Sequence, residues 1–406
     1  MQKINILRKY RYFFIVLISG TLAISSSTFA SSDSMVVENT TVAHEPAAHA
    51  ESHSGHEKFN AGEMIFEHIL DAHDWHLWGE GESAVAIPLP VIIYSAERGF
   101  SVFRSNNFQH GHFAHKGYKL YRKEGEKKYS IAAVNELEHM RVEKTTMNDE
   151  ISASLWDLSI TKNVTAIMIS GFLLVFMMIT VARAYVTRKD MAPKGLQSLI
   201  EPLIILIRDD VAKPSIGKKY EKFMPYLLTV FFFVLINNLI GLIPFFPGGA
   251  NLTGNIAITM SLAAITFVIQ LLNTNKNFWI HVFAMPGIPK AVLIILTPIE
   301  ILGVILRPFV LMVRLFANIT AGHIVALAFI SMIFIFRETF GVGGAFGISI
   351  FSGLMYIFMG FLELLVAFLQ AYVFTLLSAI YFGAAVEEHH HDTKDHDAHV
   401  EEAALI

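Results

Sequence analysis

Runs of apolar residues long enough to cross a membrane dominate the second half of the chain. A membrane-spanning helix needs about 20 such residues. Three runs of this kind occupy residues 164–185, 223–245 and 256–272, and two longer runs follow at 291–336 and 348–386. The pattern predicts an all-α polytopic membrane protein with about five membrane-crossing helices.

The last two runs are too long for helices that cross a bilayer upright. The 46 residues of 291–336 would form a straight helix of about 69 Å, whereas a hydrocarbon core is about 30 Å thick. Two spans would need a turn near the middle, where VLMVRLFANI has no turn signal. We therefore predict one long, strongly tilted helix, bent or broken near Pro298 and Pro308. The loop 341–344 then leads into a second tilted helix.

The N-terminal part of the chain has a different pattern. Residues 1–30 combine basic residues, a short apolar core and small residues, as in a cleaved secretory signal peptide, and an uncleaved anchor is the alternative. Residues 31–57 are polar, His-rich and low in complexity, which indicates disorder. Residues 58–155 are expected to form a small extramembrane region, with helical periodicity in 58–78 and strand-like runs in 79–150.

Basic residues predict the orientation of the membrane domain, residues 156–386. Lys and Arg cluster between the first two spans, and the positive-inside rule places this loop in the cytoplasm. Within the loop, residues 195–211 have the pattern of an amphipathic helix on the membrane surface. The N-terminus then lies outside the cytoplasm, and the His- and acid-rich tail of residues 387–406 lies inside it.

Composition narrows the class of protein further. Apolar residues make up 53% of the chain and charged residues 16%, and the net charge is only −4. We find no P-loop, zinc knuckle or GxGxxG motif, and we expect neither a nucleic-acid partner nor a cofactor. The absence of cysteine excludes a disulfide framework.

Histidines are concentrated in the N-terminal region. Eleven of the 18 lie between His44 and His139. His73 and His76 would lie one turn apart on a helix, which leaves a metal site as one alternative. We favour a solvated, weakly buffering segment without a metal, because the other histidines are irregularly spaced and no cysteine joins them.

Three charged residues recur every seven positions inside the first long apolar run. They are Glu300, Arg307 and Arg314, and on a helix they lie near one stripe, about 10 Å apart. Arg314 carries the only formal charge between Pro308 and Phe336. A guanidinium keeps its proton, and placing it in hydrocarbon costs between ~3 and more than ~10 kcal/mol. We therefore expect a partner carboxylate at that depth, on this chain or on another.

Further polar residues lie near this stripe or on the last helix. Asn318 shares the face of Arg314, whereas His323 points the opposite way and lies about 13 Å further along the helix axis. Glu363 and Gln370 are also seven residues apart. Histidine exchanges protons near neutral pH, so Glu363 and His323 together suggest a path for protons. Gln370 is suited to hold a guanidinium in position.

Simpler explanations stay open for some of these residues. Snorkelling to a membrane interface accounts for Arg307 as well as a functional role does. A membrane asparagine such as Asn238 is more often a helix-packing contact than a ligand.

Four segments of the membrane part resemble one known family. In chain order they are ITKNV, INNLIGLIPF, RLFANITAGH and FLQAYVFTLLSAIYFGAAVEEHH. Together they are similar to the a subunit of the F-type ATP synthase, whose signature surrounds an essential arginine.

The resemblance implies roles for the charged residues. Arg314 would face the carboxylate of a rotor ring. Glu300 would line the cytoplasmic half-channel, with Arg307 near it. His323 and Glu363 would line the half-channel that opens to the outside.

The resemblance also implies roles for uncharged positions. Gln370 and Asn238 match polar positions of the family, and we group Asn318, on the face of Arg314, with them as a candidate residue of the proton path. Gly241 stands where some members of the family carry an acid, which is a departure from the pattern.

The resemblance implies a non-catalytic proton-channel stator subunit of a bacterial inner membrane. Its expected partners are a ring of c subunits, b-type peripheral-stalk subunits, other ATP synthase subunits and the lipid bilayer. The N-terminus would be periplasmic and the C-terminus cytoplasmic. The alternative is a secondary transporter whose intramembrane arginine binds an anionic substrate, but the internal repeats typical of such transporters are not evident.

Overall fold

The structure is a computed structural model of the 406-residue chain. It describes residues 61–62, 65, 69–78, 85–122, 129–189, 191–243, 248–283, 285 and 288–387. The predicted signal peptide, the His-rich segment and nearly all of the C-terminal tail lie outside the described residues.

The region that we predict to be extramembrane contains short antiparallel strands, as the strand-like runs predicted, and we refer to it as the extramembrane domain. The strands are β1 Asp74–Trp78, β2 Val85–Pro88, β3 Pro90–Ser95, β4 Gly99–Arg104, β5 Phe113–Ala114, β6 Tyr118–Arg122, β7 Tyr129–Ala133, β8 Met140–Arg141 and β9 Trp156–Asp157. They pair as β1–β2, β4–β3–β9, β5–β8 and β6–β7. A 3-10 segment, Ser105–Gly111, and helix α1, Asp149–Ala153, complete the domain. Its core contains the fully buried Val91, Ile93, Phe108 and Tyr118.

The predicted helical periodicity of residues 58–78 is wrong at its C-terminal end. Residues 74–78 form β1, which pairs with β2. The alternation of side chains along a strand explains why β1 forms here. Trp75 and Leu77 lie on one face of the strand, and both pack against the membrane helices. Trp75 is only 2% exposed, so its burial favours the strand.

Helices dominate the rest of the chain. They are α2 Lys162–Thr187, α3 Leu196–Leu206, α4 Lys213–Ile216, α5 Tyr220–Gly241, α6 Ile256–Leu272, α7 Lys276–Phe283 and α8 Lys290–Val386. In the described part of the chain, three helical stretches are long and apolar enough to cross a membrane, and the α6–α7 pair, bent by 104°, would make a fourth. This confirms the predicted polytopic helical class, while the number of crossings stays a prediction.

Helix α8 is a hairpin of two long antiparallel arms, residues 290–340 and 342–386. The break is at Gly341, whose φ of 69° and ψ of −164° are essentially restricted to glycine. The arms pack against each other: the Ser352 hydroxyl donates to the Phe329 carbonyl, and the rings of Phe329 and Phe351 are 6.4 Å apart. The predicted loop 341–344 is thus confined to one residue.

The predicted break near Pro298 and Pro308 does not occur, while the alternative, a bend at these prolines, stays a prediction. Both prolines lie inside α8, and the only non-helical backbone angles in that helix are those of Gly341. A proline removes one backbone hydrogen bond, but a break in hydrocarbon would leave several more backbone groups without partners. The first arm therefore continues through both prolines.

Helix α5 runs between the two ends of the membrane bundle. At its N-terminal end, the second arm of α8 approaches α4 so closely that a Cβ on Gly383 would collide with the Ser215 carbonyl. At the same end, the Asn275 amide donates to the Ala385 carbonyl at 2.9 Å. This end holds the basic α2–α5 loop, which the positive-inside rule assigns to the cytoplasm.

The extramembrane domain contacts the opposite end of the bundle. The indole N–H of Trp75 donates to the Gly248 carbonyl, in the connector between α5 and α6, at 3.1 Å. The first amide of α2, that of Lys162, donates to the Ala72 carbonyl at 2.9 Å. Trp75 also belongs to the apolar cluster of the membrane helices, so the domain is packed onto the bundle as well as tethered to it.

Candidate functional site

Arg314 lies on the outer face of the first arm of α8. Ala317, Asn318 and Ala321 share that exposed face. The opposite side of the arm packs inward, where Leu315 is 1% exposed. Among the described residues, none forms a salt bridge or hydrogen bond with the Arg314 guanidinium. The expected partner carboxylate is therefore not found within the described part of this chain.

Glu300 and Arg307 form a second charged group, two turns closer to the start of α8. The Arg307 Nη2 and the Glu300 Oε1 are 4.0 Å apart. The guanidinium also lies over the rings of Phe278, at 5.8 Å, and Tyr381, at 5.6 Å. Both charged side chains are partly buried, and the Arg307 Nη1 has no hydrogen-bond partner among the described residues. Arg307 thus faces protein rings and a carboxylate, which goes beyond simple snorkelling.

The Glu363 carboxyl lies between the two arms of α8. A Cβ placed on Gly322 would be 3.0 Å from the Glu363 Oε1, so the carboxyl contacts the first arm directly beside His323. The Oε1 atom is buried and has no hydrogen-bond partner among the described residues. The hairpin therefore places the Glu363 carboxyl against the residue that precedes His323, while the shared proton path stays a prediction.

His323 lies against the outer end of α5 and the connector that follows it. Its Nε2 is 3.9 Å from the position of a Cβ on Gly241, and that same Cβ would be 3.5 Å from the Ala250 carbonyl oxygen. One turn earlier, the Thr320 hydroxyl is 3.5 Å from the Gly254 carbonyl oxygen. Residues 248–255 therefore form a wall beside His323, and an acid at position 241 would reach the imidazole.

Asn238 joins three segments near this wall. Its side-chain amide donates to the Ala367 carbonyl at 3.1 Å, and its side-chain carbonyl accepts from the Thr253 hydroxyl at 2.7 Å. These hydrogen bonds agree with a helix-packing role for Asn238. A role of Asn238 in proton transfer stays a prediction. Gln370 is buried in the second arm, and Asn318 is exposed beside Arg314.

The site residues form two groups on either side of Arg314. Glu300 and Arg307 lie toward the end of the bundle that carries the basic loop. His323 and Glu363 lie toward the end that carries the extramembrane domain. Along the helix axis, Arg314 is about 10 Å from Arg307 and about 13 Å from His323. The arrangement holds a fixed positive charge between two clusters of ionisable groups.

Several contacting residues were not identified from the sequence. The aromatic contacts of Arg307 come from α7 and from the far end of α8, and nothing in their local sequence marks them. The sequence did offer one indication, the small residue Gly322 next to His323. A residue without a side chain leaves room for a side chain from the facing helical arm. The residues concerned are Gly322, Thr253, Thr320, Phe278 and Tyr381.

Two of the described histidines of the extramembrane domain pair with carboxylates. The His73 Nε2 is 3.1 Å from Asp157 Oδ2, and the His110 Nδ1 is 3.0 Å from Asp74 Oδ2. Burial alone would raise the pKa of the Asp157 carboxyl, but the hydrogen bond and charge of His73, with hydrogen bonds from Ser159, hold this pKa below its ordinary value. In the described part of the chain, no three such residues form a group suited to a metal ion.

Fold and site together define a polytopic helical membrane protein with a fixed positive charge on an exposed helical face, flanked by two clusters of ionisable groups. Comparison with known proteins gives the family. Residues 164–383 match the model of the ATP synthase A chain family. The chain is 41% identical over 251 residues to ATP synthase subunit a of Chloroherpeton thalassium, covering 61% of this chain and 72% of that protein. It is 46% identical over 255 residues to ATP synthase subunit a 2 of Chlorobaculum tepidum, covering 61% and 68%.

The chain belongs to the ATP synthase A chain family. It is a proton-channel stator subunit of the membrane sector of the ATP synthase, in a bacterial inner membrane, and it is not itself catalytic. The family, the fold class and the function expected from the resemblance are confirmed, and no match supports the transporter alternative. A second match, to a domain of unknown function (DUF8433), covers residues 64–158 and thus the extramembrane region.

Proposed function

We propose that Arg314 is the stator arginine that faces a rotor-ring carboxylate and separates two half-channels. The observation that carries the proposal is the exposure of Arg314 on the outer face of the hairpin, with no carboxylate partner in the described part of its own chain. A fixed charge at membrane depth is costly unless an acid faces it, and a carboxylate of a neighbouring c subunit would supply that acid.

The outer half-channel passes His323 and Glu363. Support comes from the contact of the Glu363 carboxyl with the residue before His323, and from the buried oxygen of Glu363 that has no hydrogen-bond partner among the described residues. A carboxyl and an imidazole on facing helical arms are suited to pass a proton to the ring. Asn238 and Gln370 would line this path.

The inner half-channel passes Glu300. The neighbouring Arg307 lies 4.0 Å from the Glu300 carboxylate, and a positioned carboxyl group is suited to accept a proton from the ring and release it. Asn318, exposed beside Arg314, would contact the ring side of the same arm.

These positions provide a rotary cycle. A proton from the outer path neutralises a ring carboxylate, and the neutral carboxyl turns toward lipid at little cost. When that site returns, Arg314 favours its ionised form, and the proton leaves past Glu300. Since a guanidinium neither gives up nor accepts a proton, Arg314 also blocks direct passage between the two paths.

The proposed orientation puts the N-terminus and the extramembrane domain in the periplasm and the C-terminus in the cytoplasm. The basic loop between α2 and α5 supports it through the positive-inside rule. We also propose that residues 1–30 are a cleaved signal peptide and that b-type peripheral-stalk subunits hold this chain against the ring.

Replacing the arginine tests the proposal. We expect Arg314→Ala to lower coupled ATP synthesis by about 100-fold or more, the effect of removing one charge-stabilising group, and to leave a passive proton leak. ATP synthesis and proton flux are measured in membrane vesicles that carry the assembled complex.

A matched control is available on the same helical arm. Arg337 is exposed and lies outside both clusters, so Arg337→Ala should leave synthesis unchanged. Wild-type synthesis in vesicles carrying Arg314→Ala would contradict the proposed role.

A further inference from the structure

We propose that a network of carboxylates, histidines and one lysine, where the extramembrane domain meets the membrane bundle, collects protons for the outer half-channel. We call it the junction network, and its members are Asp71, His73, Asp74, His110, Asp157 and Lys162. The proposal rests on the proposed function, because it supplies protons to the path that passes His323 and Glu363.

The junction network is built from four parts of the chain. Two histidine–carboxylate pairs, His73 with Asp157 and His110 with Asp74, have N···O distances of 3.1 and 3.0 Å. They join the segment around β1 to β9 and to the 3-10 segment 105–111. His73 is 6% exposed while His110 is 37% exposed, so the network reaches from the surface into the interface.

Lys162 ties the network to the first membrane helix. It is 7% exposed at the start of α2, where the charges of Asp71 and Asp74 act on it. The Asp71 Oδ1 accepts the backbone N–H groups of Asn163, at 3.0 Å, and Ala72, at 3.1 Å. An apolar interface could attach the domain equally well, so the use of ionisable groups at this buried position calls for a further role.

The segment that carries the junction network contacts the wall beside His323. Trp75 lies two residues after His73, its side chain is on the opposite face of β1 from that of Asp74, and its indole donates to the Gly248 carbonyl at 3.1 Å. Two residues along the same connector, the Ala250 carbonyl oxygen lies 3.5 Å from a Cβ position on Gly241, which is itself 3.9 Å from the His323 Nε2. Trp75 and the connector, residues 248–255, therefore lie between the segment that carries the network and the first proposed residue of the outer path.

The charges of the network suit the capture of protons. Three carboxylates outnumber one ammonium, so the network carries a net negative charge while its histidines are neutral. A cluster of one sign of charge on a low-dielectric surface raises the local concentration of the opposite ion, by about 10-fold or more. Imidazole groups exchange protons near neutral pH, so they can bind and pass on what the carboxylates attract.

The test is proton uptake by the assembled complex in vesicles, measured against the pH on the periplasmic side. We expect the double variant His73→Gln with Asp157→Asn to slow uptake about 10-fold at pH 8, where free protons are scarce, and to match the wild type at pH 6. His110→Gln, at an exposed position, should change the pH profile in the same direction. The exposed His112, outside the network, provides the control His112→Gln, which should leave the profile unchanged.

The pH profiles of the variants distinguish the proposed proton capture from simple damage to the domain. A wild-type pH profile in the double variant and in His110→Gln would overturn the proposal. Equal slowing of the double variant at pH 6 and pH 8 would also overturn it, because damage to the attachment of the domain slows uptake at any pH. Arg314→Ala in the same vesicles separates the two proposals: if it uncouples synthesis while the network variants behave as wild type, only the junction network fails.

Discussion

At the residue scale, the charges along the first arm of α8 both repel and attract one another. Arg307 and Arg314 lie about 10 Å apart, and at an effective dielectric constant of 20 their repulsion is about 1.7 kcal/mol. Glu300, at 4.0 Å from Arg307, attracts it by about 4 kcal/mol on the same scale. Glu300 therefore neutralises Arg307 and leaves Arg314 as the net charge that a ring carboxylate would meet.

Glu363 offers the sharpest test at this scale. We expect Glu363→Gln to slow proton uptake from the periplasmic side by about 100-fold, because the amide keeps the shape of the side chain but cannot carry a proton, and a positioned acid–base group contributes about that much. Uptake is followed with a pH-sensitive dye in vesicles. Glu338→Gln, at an exposed position on the same hairpin, is the control, and unchanged flux in Glu363→Gln would remove this residue from the path.

Spacing in the sequence predicted part of this site. The seven-residue repeat indicated that Glu300 and Arg307 share a stripe, and they are in fact 4.0 Å apart. The rings that flank Arg307 could not be predicted from the sequence, because Phe278 comes from α7 and Tyr381 from the far end of the hairpin. Periodicity reports which residues share a helix face, whereas it carries no information on which other helix covers that face.

At the element scale, one glycine turns a helix of 97 residues into a hairpin. The glycine-rich stretch 341–344 indicated a turn, and the turn is there. The prolines at 298 and 308 indicated a break that does not occur. The difference is physical: a left-handed φ reverses the chain at a single residue, whereas a proline costs one hydrogen bond that a membrane helix tolerates.

Substitution of that glycine has a predictable cost. We expect Gly341→Ala to destabilise the hairpin by about 1–3 kcal/mol, because an alanine Cβ is strained at its backbone angles. Gly343, two residues on, is helical, and open space surrounds the position that a Cβ would occupy there, so Gly343→Ala should be neutral or stabilising by about 0.5–1 kcal/mol. Thermal denaturation of the two variants in detergent measures the difference, and equal stabilities would show that the turn is not strained by a side chain.

At the scale of the whole molecule, the extramembrane domain and the membrane bundle share contacts that no local pattern indicated. Trp75 belongs to the apolar cluster of the bundle, although it lies in a segment whose spacing resembled a helix. Hydropathy distinguishes the two regions in the sequence, since strand-like and membrane-spanning patterns differ. Their joining depends on residues far apart in the chain, such as Trp75 and Gly248.

The attachment of the domain should weaken in acid. The pKa of Asp157 is lower in the folded protein than the value of about 3.9 for an unfolded chain, so its pairing with His73 stabilises the fold above that value and is lost as the pH falls through the folded pKa. We expect the wild type to be more stable than Asp157→Asn at pH 7, and the two to converge as the pH falls through the lowered pKa of Asp157.

Fluorescence of the buried Trp75 during chemical unfolding reports this difference. Glu150→Gln, at an exposed carboxylate of the same domain, should follow the wild type at every pH. A constant gap between wild type and Asp157→Asn from pH 7 to pH 3 would argue against the pairing as the source of the stability.

The bond between Trp75 and Gly248 joins positions 173 residues apart, and this has a consequence for synthesis on the ribosome. At about 5–20 residues per second, translation reaches the connector roughly 10–35 s after it has passed the tryptophan. Throughout that interval the domain has no finished bundle beneath it. To fold during that interval, the domain must depend on its own core, around Ile93 and Tyr118, because the bundle surface that later contacts Trp75 is not yet complete.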